Sequence, residues 1–252
     1  MSPTPTARVL STLREHEVQS LLMGGQACIL YGAAEFSRDT DLTVFASPDN
    51  LERLGGALIE LVAEVVAVPP FEVEYLARGH AVHFRCRHPE AERARLDVMS
   101  RLRGVDPFPE LWERRTSYTL LDGLEVEVLA LPDLVASKKT QRDKDWPMIR
   151  RLVEANYDRF YDAPNGARIR FWLRELRTPE LLVECSARFA EEARAAVGER
   201  AAVEAAMEGD ESEVALRLAA EEARERELDR AYWAPLKAEL EQIRRRRRRE
   251  LQ

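Results

Sequence analysis

Cysteine is scarce in this chain of 252 residues, with three in all, at Cys28, Cys86 and Cys185. Odd in number and far apart, they offer neither a disulfide framework nor zinc-ligand spacing. The expected setting is therefore a reducing, cytoplasmic one. Histidine is also rare, with four residues. His80 and His83 lie three apart in a strand-like run, facing opposite sides of it. His16 and His88 sit among polar residues, so the histidines build no metal site. No run of about 18 apolar residues occurs, which excludes a spanning helix. Residues 1–8 lack the apolar stretch of a secretory signal. Missing too are the Gly-x-Ser-x-Gly elbow of acyl transfer and the Walker loop of P-loop hydrolases. Positive charge is not in excess: the net charge is −7. That argues against a general nucleic-acid coater, which works by neutralising phosphates, though it leaves room for a local basic groove.

What is present suffices for a core, since 45% of the residues are hydrophobic and 33% charged. The length suits one generous domain or two small ones. Up to about residue 160, short apolar runs alternate with turn signals and helical patterns, the mark of mixed α and β structure. A helix is expected over Arg8 to His16 and a strand over Val18 to Met23. The strand stops at Gly24 and Gly25, and a short helix follows over Gln26 to Tyr31. A second strand covers Leu42 to Phe45, starting as early as Asp39. Ser47 and Pro48 form a helix start, with serine as cap and proline in the first turn. The helix after them would place Leu51, Leu54, Leu58, Leu61, Val62 and Val65 on one face. Strands are expected over His80 to Cys86 and Arg93 to Met99, and again where Leu124, Val126 and Val128 alternate. Pro132 and Asp133 would open a helix carrying Lys138, Lys139 and Arg142.

After residue 160, Ala, Glu, Arg and Leu dominate and strand patterns vanish. Two modules are expected, an α/β module over 1–160 and a helical region over 161–252, with the break near Asp162 to Gly166. Residues 168–206 suggest two or more amphipathic helices, one starting at Pro179 and the stretch interrupted at Gly198. From Glu208 onward acids and bases mix at a density typical of a solvated helix face. The run Arg244 to Arg249 is either a grip on RNA or on a phosphate backbone, or a basic helix end complementing the macrodipole, and nothing aromatic is interleaved in it.

Three features carry chemistry. Gly24 and Gly25 stand between a strand and a helix, where a backbone without side chains lets a phosphate approach free N–H groups. The bland reading is a tight turn. Asp39 and Asp41, in Ser37-Arg38-Asp39-Thr40-Asp41-Leu42, share one face of a strand. Adjacent carboxylates repel, and a divalent cation is the usual compensation. The alternative is a polar turn capping the strand. Asp97, within Ala94 to Met99, is an acid flanked by apolar neighbours, costly to bury unpaired. If its strand lies beside that of Asp39 and Asp41, three carboxylates converge. Oxygen-only ligands favour Mg²⁺ or Mn²⁺ over zinc.

In this order the motifs resemble those of the minimal nucleotidyltransferase superfamily, the polymerase-beta-like fold. The nearest branch is that of the bacterial AbiEii-type toxin nucleotidyltransferases. Its pattern appears as Gly24-Gly25-Gln26-Ala27, Tyr31-Gly32, Ser37-Arg38, Asp39-Thr40-Asp41-Leu42, then Asp97, Leu134 to Lys139, and Arg142 to Asp145. The likeness covers residues 18–154. It implies a nucleotidyltransferase-like mixed sheet flanked by helices, followed by the helical C-terminal region. It also implies transfer of an NMP group from an NTP such as ATP to a hydroxyl of RNA, protein or a small molecule, in a toxin–antitoxin or resistance-type role. Asp39, Asp41 and Asp97 would be catalytic and hold Mg²⁺ or Mn²⁺. Gly24, Gly25, Ser37, Arg38, Lys138 (or Lys139) and Arg142 would contact substrate. A cognate antitoxin, or a second copy joined through the C-terminal helices, is the expected partner, with no membrane. Thr40 stands where an aliphatic residue is usual, and Glu35 where a basic one is often found. These departures motivate the alternative, a non-catalytic nucleotide-binding or partner subunit that keeps the fold.

Overall fold

The computed structural model describes residues 4–34, 36–37, 39–120 and 123–250. The chain divides into two compact units. One comprises Met1–Leu30, Ala34–Ser137 and Tyr232–Gln252; the other, Tyr31–Ala33 and Lys138–Ala231.

The first unit opens with α1 (Pro5–Glu15), where the Thr4 side chain accepts the Ala7 N–H and proline occupies the first turn. There follow β1 (Ser20–Met23), α2 (Gly24–Leu30), β2 (Asp39–Val44), α3 (Pro48–Glu60), β3 (Glu64–Val65), α4 (Val73–Arg78), β4 (Val82–Arg85), β5 (Arg95–Met99), α5 (Phe108–Glu113), β6 (Thr116–Thr119), β7 (Glu125–Val128) and α6 (Leu131–Ser137). The strands form one mixed sheet in the order β3-β4-β5-β2-β1-β7-β6. At its centre β2 runs antiparallel to β1 and parallel to β5, while β1 runs parallel to β7. The protein is thus α/β, with a seven-stranded mixed sheet flanked by helices.

Register gives the sheet two unlike faces, because residues directly opposite one another point the same way. Leu22, Leu42, Leu96, Val98, Val82 and Val128 form an apolar row, all buried. Burying a side chain of this size contributes about 1.5–3 kcal/mol, so this row fixes the register of the five central strands. A one-residue slip would send it to the other face. Asp39 and Asp41 of β2 and Arg95 and Asp97 of β5 are thereby committed to the opposite side, while Thr40 stays buried on the apolar one.

Several expected elements shift. The helix after Ser47 is capped as expected, Ser47 Oγ accepting the Asn50 N–H at 3.3 Å. It stops at Glu60, so Val62 and Val65 leave the apolar face and are exposed. Val62 takes the left-handed position after the helix (φ 47°), and the Ala63 N–H returns to Leu58 O at 2.8 Å, closing the end. The short helix at the glycines includes them, spanning Gly24–Leu30. The helix opened by Pro132 ends at Ser137, before Lys138, Lys139 and Arg142, which lie in the segment leading to the next helix.

The second unit is helical: α7 (Asp145–Phe160), α8 (Gly166–Glu175), α9 (Pro179–Arg188), α10 (Ala190–Ala196), α11 (Ala201–Met207) and the first half of α12 (Glu211–Glu250), whose residues from Tyr232 group with the sheet. The change of composition near residue 160 falls between α7 and α8, inside this unit. Its core includes Trp146, Ile149, Tyr157 and Trp172; the last two rings meet edge to face at 5.0 Å.

Candidate functional site

The strand of Asp97 lies beside that of Asp39 and Asp41. In the β2–β5 ladder Asp41 is directly opposite Asp97 and Asp39 opposite Arg95. Across the next ladder His83 is opposite Asp97, and on the other side Met23 is opposite Asp41. The result is a row His83–Asp97–Asp41–Met23 across four strands, with Asp39 two residues along the same face.

The glycines at the head of α2 belong to this arrangement for a steric reason. A Cβ on Gly24 would stand 1.8 Å from Asp41 Oδ2, and one on Gly25 would stand 2.4 Å from Ser37 Oγ. Gly24 also has φ +66°, a conformation that favours glycine. The turn is bare so that the Asp41 carboxylate and the Ser37 hydroxyl can lie against it. Ser37 is fixed in turn: its hydroxyl donates to Asp39 O at 3.3 Å and its carbonyl accepts from Gln26 Nε2 at 3.1 Å.

The carboxylates are not evenly partnered. His83 Nδ1 stands 2.8 Å from Asp97 Oδ1, and Arg95 Nε stands 3.5 Å from Asp39 Oδ1. Neither contact has the alignment of a good hydrogen bond, and both oxygens are shielded from solvent without one. The imidazole of His83 is held above its usual pKa, chiefly through its direct 2.8 Å polar contact with Asp97 and, after the opposing effect of burial, through the negative charge of that carboxylate. Set aside on sequence grounds as no part of a metal site, His83 is thus the residue that strand pairing adds to the row. Its sequence signal was only its place in a strand pattern, since the partner depends on the β4–β5 register.

A cleft of about 710 Å³ opens beside the start of β2, with Gln26, Phe36, Ser37, Asp39, Arg93 and Arg95 on its walls. Its size falls within the roughly 300–1,000 Å³ of small-molecule sites. Arg93 holds a left-handed backbone (φ 65°), uncommon for a side-chain-bearing residue.

Arg38 and Glu35 fall outside the described residues. Lys138 and Arg142 belong to the helical unit, where both turn to Asp145: Lys138 Nζ is 3.9 Å and Arg142 Nε 2.7 Å from its carboxylate. Lys139 Nζ is 2.7 Å from Glu175 Oε2. With no helix running through 138–142, Lys138 and Arg142 are not stacked one turn apart.

The donor set tests the implied cation. All-oxygen donors suit Mg²⁺ or Mn²⁺, and the shielded oxygens of Asp39 and Asp97 are the kind of group an ion satisfies. Among the described residues, however, no three His, Cys, Asp or Glu side chains stand close enough together to enclose an ion. The carboxylates suit the ion in donor chemistry and share one face by register, but with Asp97 turned to His83 and Asp39 to Arg95 they are not gathered around a common point. No family model and no curated protein matches the chain.

Proposed function

We propose that this chain is a nucleotidyltransferase of the polymerase-beta-like fold, moving an NMP group from an NTP to a hydroxyl acceptor. One observation carries the reading: Asp41 and Asp97 directly opposite on adjacent parallel strands, with Asp41 seated against the Gly24 turn. The motif order in the sequence and the cleft at Asp39 support it.

In the transfer, the acceptor oxygen attacks the α-phosphorus and the bond to the β-phosphate bridging oxygen breaks, releasing pyrophosphate. Asp97 takes the proton of the attacking hydroxyl, and His83 at 2.8 Å orients that carboxylate. Asp39 and Asp41 present a second pair of oxygens on the same face. Gly24 and Gly25 leave the backbone open to the phosphates, and Ser37 adds a hydroxyl. Mg²⁺ or Mn²⁺ held by Asp39, Asp41 and Asp97 would supply charge neutralisation for the triphosphate. Lys138 and Arg142, drawn to Asp145, carry no weight in this reading.

The test is pyrophosphate release with each of four NTPs and Mg²⁺ in the presence of RNA, protein and small-molecule acceptors. Release by the wild type should fall at least 100-fold in Asp39→Ala/Asp41→Ala. Equal release from both would sink the assignment. A second reading, a nucleotide-binding subunit without catalysis, draws on the contacts of His83 and Arg95 to the carboxylates. It requires NTP binding with no pyrophosphate release under any acceptor.

A further inference from the structure

The end of α12 concentrates positive charge in a chain whose net charge is −7: Arg244 to Arg249 are six arginines in succession. All are exposed. Arg244 and Arg245 reach Glu241, at 4.0 and 3.1 Å, but Arg246, Arg247, Arg248 and Arg249 have no carboxylate partner among the described residues. Successive helical residues point about 100° apart, so these four arginines surround the helix instead of lining one side.

The helix that carries them is fixed upstream. The carboxylate of Glu239 lies 2.7 Å from Nε2 of His80, which is 1% exposed, and 2.9 Å from Nη2 of Arg78. Leu236 packs beside Gly79. Arg244 follows Glu239 by five residues, or about 7.5 Å of helix. The basic end therefore projects from an anchored base within the sheet unit.

We infer that this end is a docking element for the phosphate backbone of a nucleic-acid duplex. Charge on every side of a helix complements a groove, where phosphates stand on both walls; a flat anionic surface would use one side only. Arginine suits phosphate through its planar fork of donors. No aromatic interrupts the run, so it has no platform on which unpaired bases could stack. It also lacks the apolar face with which an interfacial helix enters a bilayer. Recognition would be by backbone, insensitive to sequence and sensitive to salt. This inference is independent of the transfer reading.

The experiment is fluorescence anisotropy of labelled 20-base-pair DNA and RNA duplexes with the full chain, from 50 to 200 mM salt. The wild type should bind at least one duplex without sequence preference, and the two duplexes tell whether the B-form or the A-form backbone is preferred. Replacing Arg246 to Arg249 together by glutamine should weaken binding at 50 mM salt at least tenfold. The slope of log affinity against log salt should shrink by about 3 to 4 on B-DNA, near 0.9 per lost phosphate contact. The four-lysine variant should stay within about threefold of wild type, separating lost charge from lost folding. Unchanged duplex binding by the glutamine variant would overturn the inference. So would tighter binding to a single-stranded homopolymer, or binding to phosphatidylserine vesicles with none to either duplex.

Discussion

The helical unit and the central sheet treat buried charge differently. In the helical unit Arg200, 8% exposed, donates to Leu173 O at 2.8 Å and Leu176 O at 2.9 Å, and its fork meets both oxygens of Glu221 at 3.0 Å. Asp145, 3% exposed, accepts from Thr140 at 2.6 Å and Arg142 at 2.7 Å. Asp229 accepts the Gln141 N–H at 2.9 Å. On the sheet, two carboxylates face each other across a ladder, and shielded oxygens of Asp39 and Asp97 accept no well-aligned bond. Matched charges hold a fold together; unmatched ones cost stability and persist where something other than stability is served. The contrast is one of degree, since Glu175 Oε2 in the helical unit, 2.7 Å from Lys139 Nζ, is also shielded without an aligned bond. What sets the sheet apart is that its half-buried acids face one another, and that marks them as site.

The largest effect should come from unmatching a helical charge. Arg200→Ala would strand two carbonyls and leave Glu221 with Arg177 at 3.4 Å, and a loss of about 3 kcal/mol in urea unfolding is expected. Gly24→Ala comes next, at about 1–3 kcal/mol, from its positive φ and the collision with Asp41. In a double-mutant cycle with Asp41→Gly part of that loss should return, since the collision goes and the φ strain stays. Additive losses would mean that the glycine serves its own backbone only. Asp41→Asn should behave in the opposite sense. Removing one of two facing carboxylates should leave stability unchanged or raise it by up to about 1 kcal/mol, while transfer collapses. A loss as large as that of Arg200→Ala would erase the distinction between the regions.

The parts of this site legible in the sequence were those governed by short-range period. Alternation puts Asp39 and Asp41 on one face, and apolar neighbours put Asp97 inside a strand; the cap at Ser47 and the alternating Val126 and Val128 read equally directly. What escaped was set by partners distant in the chain. The pairing of His83 with Asp97 follows from the β4–β5 register. The need for glycine at 24 follows from a side chain 17 residues away, on the next strand. Strand β6, with the sequence Thr116-Ser117-Tyr118-Thr119, is not buried and carries no apolar alternation to announce it. Continuing the apolar stripe to Val65, or a helix through Lys138, extended a local pattern past its physical end. At Val62 the backbone turns left-handed, and after Ser137 the charges turn to Asp145 and Glu175.

The smallest effect is the most specific, and it concerns His83. Its pKa is raised in the folded chain by the adjacent Asp97 carboxylate. A group whose folded pKa exceeds its unfolded value stabilises fully below the unfolded value, near 6.5 for histidine, and loses that contribution as pH rises through the folded one. Wild-type stability should therefore decline gently on going upward from about pH 6.5, beyond whatever the other groups contribute. In Asp97→Asn that decline should flatten, and the His83 ring resonances, followed by NMR, should titrate at a lower pH than in the wild type. If His83 titrates identically in both proteins, it is a bystander to the carboxylate row, and the chemistry falls to Asp39, Asp41 and Asp97 among the described residues of the sheet's polar face.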